Sequence, residues 1–91
     1  MFHPLEFAAS DTFRTRIAKL PWRFADVDEL RTRASAMITR PELPATLEVS
    51  LLRAAMDIGR ISARRAAAEL GITLDDLSDL FVAYGHDPIE L

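Results

Sequence analysis

The sequence contains no cysteine, no asparagine and no glutamine among its 91 residues, and it has only two histidines, His3 and His86. Without cysteine, disulfide bonds, thiolate nucleophiles and cysteine-ligated metal sites are excluded. Without side-chain amides, the chain lacks the residues that read adenine through paired hydrogen bonds. A catalytic zinc requires three protein ligands, and the two histidines lie near opposite ends of the chain. We therefore expect hydrophobic packing alone to hold the fold, with no metal and no cofactor.

Glycine is scarce as well, with three residues, none of them closer than twelve positions to another. This spacing excludes a glycine-rich phosphate-binding loop. Gly59, Gly71 and Gly85 each follow an apolar stretch with helical spacing, where glycine ends helices by adopting a positive φ. The chain has only three valines, no alternating apolar run and no Asn-Gly or Asp-Gly turn, so strands are disfavoured. We predict an all-α fold of four to five helices.

Long hydrophobic runs are also missing, since the longest uncharged stretch, residues 80–86, has seven residues. A membrane-spanning helix needs about 20. The first ten residues carry Glu6 and no base, unlike a secretory signal. We expect a cytoplasmic protein without a membrane segment. A chain of this size buries only about 60 to 65% of its unfolded surface, so a partner or a second copy would add stability.

Helical periodicity is present in three segments before residue 60. They extend from Ser10 or Asp11 to residue 20, from Asp26 to residue 40, and over residues 45–58. The broad apolar face of the third segment is typical of a central, largely buried helix. Two prolines near residues 40–45 separate an N-terminal part, 1–44, from a C-terminal part, 45–91, and we interpret both as one domain.

The C-terminal part contains the pattern of a helix-turn-helix unit, SARRAAAELGITLDDLSDLFVAYG, over residues 62–85. Ser62 and Thr73 are suitable N-caps, and Gly71 permits the turn between the two helices. The positions that the unit needs for packing and for its turn are Ala66, Ala67, Leu70, Gly71, Ile72, Leu77 and Leu80. An ordinary helical hairpin uses the same residue types, and this alternative stays open.

The charges are distributed unevenly along the chain. Residues 1–65 hold all eleven bases and eight acids, whereas residues 66–91 hold six acids and no base. In a DNA reader the second helix of the unit enters the major groove. Here that helix carries Asp75, Asp76 and Asp79, which phosphates would repel. We expect it to dock against a basic protein, although an ordinary solvated face is the alternative.

Three phrases of the C-terminal part point to a known family. They are Gly59-Arg60-Ile61-Ser62, the stretch AAAELGIT over residues 66–73, and an apolar helix that ends in Gly85. With them, residues 47–88 resemble the UPF0175 family of small prokaryotic proteins. The resemblance implies an antitoxin of a toxin–antitoxin pair, encoded beside a PIN-domain ribonuclease that it neutralises by direct contact. Residues 1–44 do not follow the usual short N-terminal segment of that family.

Such a nuclease holds magnesium in a carboxylate cluster, to which arginine guanidinium groups can bind in a bidentate manner. Residues 12–25 carry four bases and no acid, and they include a Trp-Arg-Phe segment of types that anchor interfaces. The predicted partner-binding residues are Arg14, Arg16, Trp22, Arg23, Phe24, Asp75, Asp76 and Asp79. Alternatively, the aromatic residues fill the core and the bases form a solvated face.

Two other functions remain open. The first is a DNA-binding regulator in which Arg60, Arg64 and Arg65 contact phosphates, although the last two are more readily paired with the aspartates of the second helix. The second is a helical adaptor or dimerisation module. Catalysis is not expected, because no serine has the flanking glycines of a nucleophile elbow and His86 with Asp87 is too small a ligand set for zinc.

Overall fold

The computed structural model describes residues 1–20 and 27–90, and these two ranges contain six α-helices and no strand. The helices are α1 (Pro4–Ala9), α2 (Asp11–Ala18), α3 (Val27–Met37), α4 (Thr46–Asp57), α5 (Ala63–Leu70) and α6 (Leu74–Ala83). The all-helical prediction is therefore confirmed, whereas the predicted number of four to five helices is too low. The Trp22–Phe24 segment, assigned to partner binding, lies outside the described residues.

The additional helix is α1, which meets α2 at Ser10. The Ser10 hydroxyl donates to the carbonyl of Phe7 at 2.6 Å and accepts from the backbone N–H of Phe13 at 3.1 Å. One side chain thus ends α1 and caps α2. The sequence signal for α1 is weak because the helix has six residues and its N-cap, His3, makes no side-chain capping bond.

A first hydrophobic cluster joins α1, α2, α4, α5 and α6. Phe13, Ile17 and Leu20 enter it from the α2 side. The other buried members are Ala8, Val49, Leu52, Ala66, Ala67, Leu70, Leu77, Leu80, Phe81 and Tyr84. This cluster fixes the position of the C-terminal helices.

A second, smaller cluster lies between α3 and α4. Leu30 and Ala34 of α3 pack against Ala54 and Ala55 of α4. Because α4 also contributes Val49 and Leu52 to the first cluster, it serves both clusters, as its broad apolar face predicts. At twelve residues α4 is too short to cross a membrane, and no other helix in the described ranges qualifies.

Candidate functional site

The candidate site is the α5–α6 pair, which is capped as the sequence predicts. The Ser62 hydroxyl accepts from the N–H of Arg65, and the Thr73 hydroxyl accepts from the N–H of Asp76, each at 3.0 Å. Gly71 ends α5 with φ +70°. The two N-cap predictions and the glycine turn are confirmed, and they orient α6 relative to α5.

The interior face of this pair is apolar. Leu70, Leu77 and Leu80 are fully buried, and Ala66 and Ala67 lie where α5 contacts its neighbours. Ile72, in the turn, is half-buried against the same cluster. The outward positions of the pair are therefore the ones available to a binding partner.

The outward face of α6 is acidic at its beginning and apolar at its end. Asp75, Asp79 and Val82 are exposed and recur at a spacing of four and three residues, so they share one side of the helix. Asp76 is half-buried. Among the ion pairs of residues 1–20 and 27–90, none involves these three aspartates. Their negative charges are not neutralised within the described part of the chain.

Arg16 contacts the turn between α5 and α6. Its Nη1 donates to the carbonyl oxygen of Leu70 at 2.6 Å. The guanidinium group lies so close to Gly71 that a Cβ added there would overlap with Nη1. A cation is favourable at the C-terminal end of a helix. The Arg16 side chain, for which the sequence predicts contact with a partner, here links α2 to α5.

Arg14, the other α2 residue assigned to partner binding, is more accessible. It forms an ion pair with Asp11 at 3.3 Å, and the two side chains are 76% and 94% exposed. Together with Glu48, it also lines a cavity of about 330 Å³ between the α1–α2 corner and the start of α4. The apolar part of this lining includes Phe13 and Ile17.

The arginines assigned to the DNA alternative lie at the start of α5 and before it. Arg65 pairs with Glu69 through Nε at 2.7 Å, one helical turn further along. The expected pairing of Arg65 with an aspartate of α6 is therefore wrong, because the closest carboxylate is on its own helix. Arg64 and Arg60 are exposed.

A serine–histidine pair was not predicted from the sequence. The Oγ of Ser50 and the Nε2 of His86 lie 3.2 Å apart, although 36 positions separate them in the chain. The Ser50 side chain is 1% exposed, which denies a substrate access to its hydroxyl. Burial lowers the pKa of His86, Arg53 lowers it further, and Asp57 and Asp87 oppose this shift. We interpret the pair as a packing contact.

Tyr84, the C-cap of α6, contacts the segment that precedes α4. Its hydroxyl donates to the carbonyl of Pro44 at 2.5 Å. Burial, with a smaller contribution from Glu48, raises its pKa to about 12. The next residue after Pro44 is Ala45, the N-cap of α4, which has φ +52° in the left-handed region.

No group of three or more potential metal ligands occurs within the two described ranges. Comparisons of the chain with models of protein families, with curated protein sequences and with solved structures gave no match.

Proposed function

We propose that this chain is a non-enzymatic protein-binding domain and that its specific role is that of an antitoxin. In this role it neutralises a PIN-type ribonuclease by direct contact. The α5–α6 pair would form a helix-turn-helix unit that serves protein recognition. The proposal combines the resemblance of residues 47–88 to the UPF0175 family with the charges on the outward face of α6.

The acidic face of α6 is the observation that carries the protein-binding proposal. A DNA duplex has one negative charge per about 1.7 Å of its axis, so a helix presenting Asp75 and Asp79 would be repelled from the groove. A basic protein surface would instead be attracted, and the exposed Val82 would add apolar contact at the end of the same face. Complementary charge therefore favours a cationic protein region over nucleic acid.

The α2 side offers the second part of the proposed interface. The Arg14–Asp11 pair is solvent-exposed and contributes little stability, so Arg14 can exchange that partner for a nuclease carboxylate. Its position beside the apolar cavity would let a neighbouring partner side chain be buried at the same time. The rest of the proposed interface is assigned from the sequence alone and consists of Trp22, Arg23 and Phe24.

Charge reversal on α6 tests the proposal. The chain is co-expressed with a PIN-type ribonuclease encoded in the adjacent reading frame, and complex formation is measured with the purified pair. Asp75→Lys with Asp79→Lys should weaken binding at least tenfold. Asp28→Lys is the matched control for Asp75→Lys alone, because each is an exposed aspartate in the first turn of a helix and each reversal opposes the helix dipole equally.

Equal binding by the double variant and the wild type would refute the role of α6. A second variant, Trp22→Ala with Arg23→Ala, examines the proposed anchor separately, and unchanged affinity would show that this anchor is wrong. The DNA alternative is tested by duplex binding at about 50 mM salt, where phosphate contacts are strong. Retention that decreases steeply with salt and is lost in Arg64→Ala would favour a regulator.

A further inference from the structure

The last described residues of the chain, 85–90, form a segment without regular secondary structure, which we name the C-terminal strap. It follows α6 and turns back at Gly85, which has φ +82°. The backbone N–H of His86 donates to the carbonyl of Phe81 at 2.9 Å. The N–H of Ile89 donates to the hydroxyl of Ser78 at 3.0 Å. These two bonds attach the strap to α6.

Two further contacts attach the same strap to α4. The ring of His86 reaches Ser50, and Nη1 of Arg53 donates to the carbonyl of Asp87 at 2.7 Å. The strap therefore bridges α4 and α6 through side chains and backbone groups that lie far apart in the sequence.

The strap is held at discrete points. A cavity of about 310 Å³ lies between it and the C-terminal half of α4, with Met56, Pro88 and Ile89 in its lining. Only His86 and Ile89 of the strap are half-buried, whereas the residues between and after them are exposed. Loss of the His86 contact would therefore remove one of the two strap side chains that pack inward and leave the bonds from Arg53 to Asp87 and from Ile89 to Ser78.

The surroundings of the His86 ring disfavour a positive charge. Its ring centroid lies 6.1 Å from that of Phe81, and the guanidinium carbon of Arg53 lies 5.1 Å from the centroid of the same ring. An imidazolium there would lie beside the Phe81 ring, which the Arg53 guanidinium already contacts. It would also lie next to Ser50, whose hydroxyl is buried away from water. The charged groups that act on the ring are Arg53 and Asp57 from α4 and Asp87 from the strap, while the α6 neighbour, Phe81, is uncharged.

We propose that the C-terminal strap is a proton-controlled latch. Neutral His86 seats between Ser50 and Phe81 and holds the strap across α4 and α6, and protonated His86 leaves this position and releases the strap. Release uncovers Ser50, Arg53 and Phe81 while α1 to α6 stay folded. The latch does not depend on the proposed antitoxin role.

The direction of the pH effect follows from the lowered pKa of His86. The unfolded or released histidine titrates near pH 6.5, and the seated one titrates below that value. Seating is therefore fully favourable above pH 6.5, and it weakens as the pH falls through the lowered pKa. The strap should be closed at neutral pH, and its release should increase as the pH falls through the pKa of the seated ring.

Backbone ¹⁵N heteronuclear NOE values of the full chain, recorded at pH 7.5 and at pH 5.0, test the latch. At pH 7.5 the values for His86, Asp87, Ile89 and Glu90, the strap residues with a backbone N–H after Gly85, should match those of α6. At pH 5.0 they should fall toward zero in the strap while α6 keeps its values. An unchanged strap, or a loss that includes α6, would overturn the proposal.

Two variants separate His86 from other titrating groups. His86→Gln keeps a hydrogen-bonding side chain for Ser50 but cannot gain a proton, so its strap should stay ordered at both pH values. His3→Gln removes the other histidine and should leave the wild-type response intact. An equal loss of order in His86→Gln between the two pH values would assign the effect to carboxylates and refute the latch.

The glutamine of His86→Gln could fail to occupy the position of the histidine, and the strap of the variant would then be mobile at both pH values. In that case the titration of the wild type tests whether protonation of His86 releases the strap. The strap NOE and the imidazole chemical shift of His86 should then change with the same midpoint. A strap midpoint near pH 4, separate from the imidazole midpoint, would contradict the proposal.

Discussion

Individual polar atoms join helices that are distant in the sequence. The hydroxyl of Tyr84 contacts Pro44, and the guanidinium of Arg16 contacts Leu70. A backbone carbonyl near a helix terminus accepts each of these bonds. Leu70 is the last residue of α5, where the helix leaves its own carbonyls unsatisfied, and Pro44 lies where the chain enters α4. Removing one such side chain should therefore destabilise a junction between helices more than a helix itself.

Tyr84 should resist ionisation. Because burial raises its pKa to about 12, tyrosinate absorbance at 295 nm should stay absent at pH 10 and appear near pH 12. The unfolded residue ionises near pH 10, so its contribution to the free energy of unfolding is complete below that pH and is lost as the pH rises to about 12. As the only tyrosine in the chain, Tyr84 gives an unambiguous signal.

The variant Tyr84→Phe is the control for this titration and should abolish the absorbance step. It should also lower the free energy of unfolding by about 1 kcal/mol, because the hydrogen bond to Pro44 is lost. Urea denaturation at pH 7 measures this change. Ionisation of the wild-type residue near pH 10 would contradict the burial on which the prediction depends.

Gly71 and Gly59 offer a matched comparison of two costs. Both have a positive φ, so alanine at either position should cost about 1 kcal/mol of backbone strain. A Cβ at position 59 meets nothing within 4 Å, whereas one at position 71 meets the Arg16 guanidinium. Gly71→Ala should therefore cost about 1 kcal/mol more than Gly59→Ala, since it also displaces the Arg16 bond.

A double-mutant cycle checks this assignment by urea denaturation. In an Arg16→Ala background, Gly71→Ala should cost no more than Gly59→Ala, because the displaced contact is already absent. Arg31→Ala, an exposed arginine of α3, is the background control. If the extra cost of Gly71→Ala persisted without Arg16, the contact would not be its cause.

At the scale of elements, local chemistry made most of the helices predictable from the sequence. The bounds of α5 and α6 follow from Ser62, Thr73 and Gly71, because caps and positive-φ glycines act within one turn of the chain. The sequence does not predict the six-residue α1, because its N-cap makes no side-chain bond and Ser10, at which it ends, has the pattern of the beginning of α2. Short helices depend on tertiary contacts more than on propensity.

The candidate site was predictable in part. The exposure of Asp75 and Asp79 follows from the helical period, because the buried leucines fix which side of α6 faces the core. The bond from Arg16 to Leu70 and the Ser50–His86 pair join positions 54 and 36 residues apart. No local pattern encodes such contacts, since they arise when the helices pack.

The α3–α4 pair is an element-scale unit with its own cluster. Leu30→Ala creates a cavity in that cluster and should cost about 2 to 5 kcal/mol. Hydrogen exchange should accelerate most at the amides of α3, because α3 packs mainly against α4. Exchange that accelerates equally in α6 would show that the two clusters open together.

At the scale of the whole molecule, two clusters share one central helix. The full chain, at 91 residues, is expected to have a free energy of unfolding of about 5 to 14 kcal/mol. Leu77 lies in the larger cluster, so Leu77→Ala should cost about 2 to 5 kcal/mol and accelerate exchange in every helix that this cluster joins. Leu77→Ala should also lower the urea midpoint. Unlike Leu30→Ala, it should leave none of the helices joined by the larger cluster protected from hydrogen exchange.

The start of α4 shows that the free energy of unfolding is lower than the fold allows. Ala45 occupies a left-handed conformation that costs an L-residue about 1 kcal/mol or more, and its side chain makes no capping hydrogen bond to the first turn of the helix. The neighbouring bond from Tyr84 to Pro44 anchors the chain just before this residue. Glycine or asparagine at position 45 would tolerate the same backbone at lower cost. The domain therefore holds an unused margin, which laboratory evolution toward higher melting temperature could draw on without replacing a fully buried residue of either hydrophobic cluster.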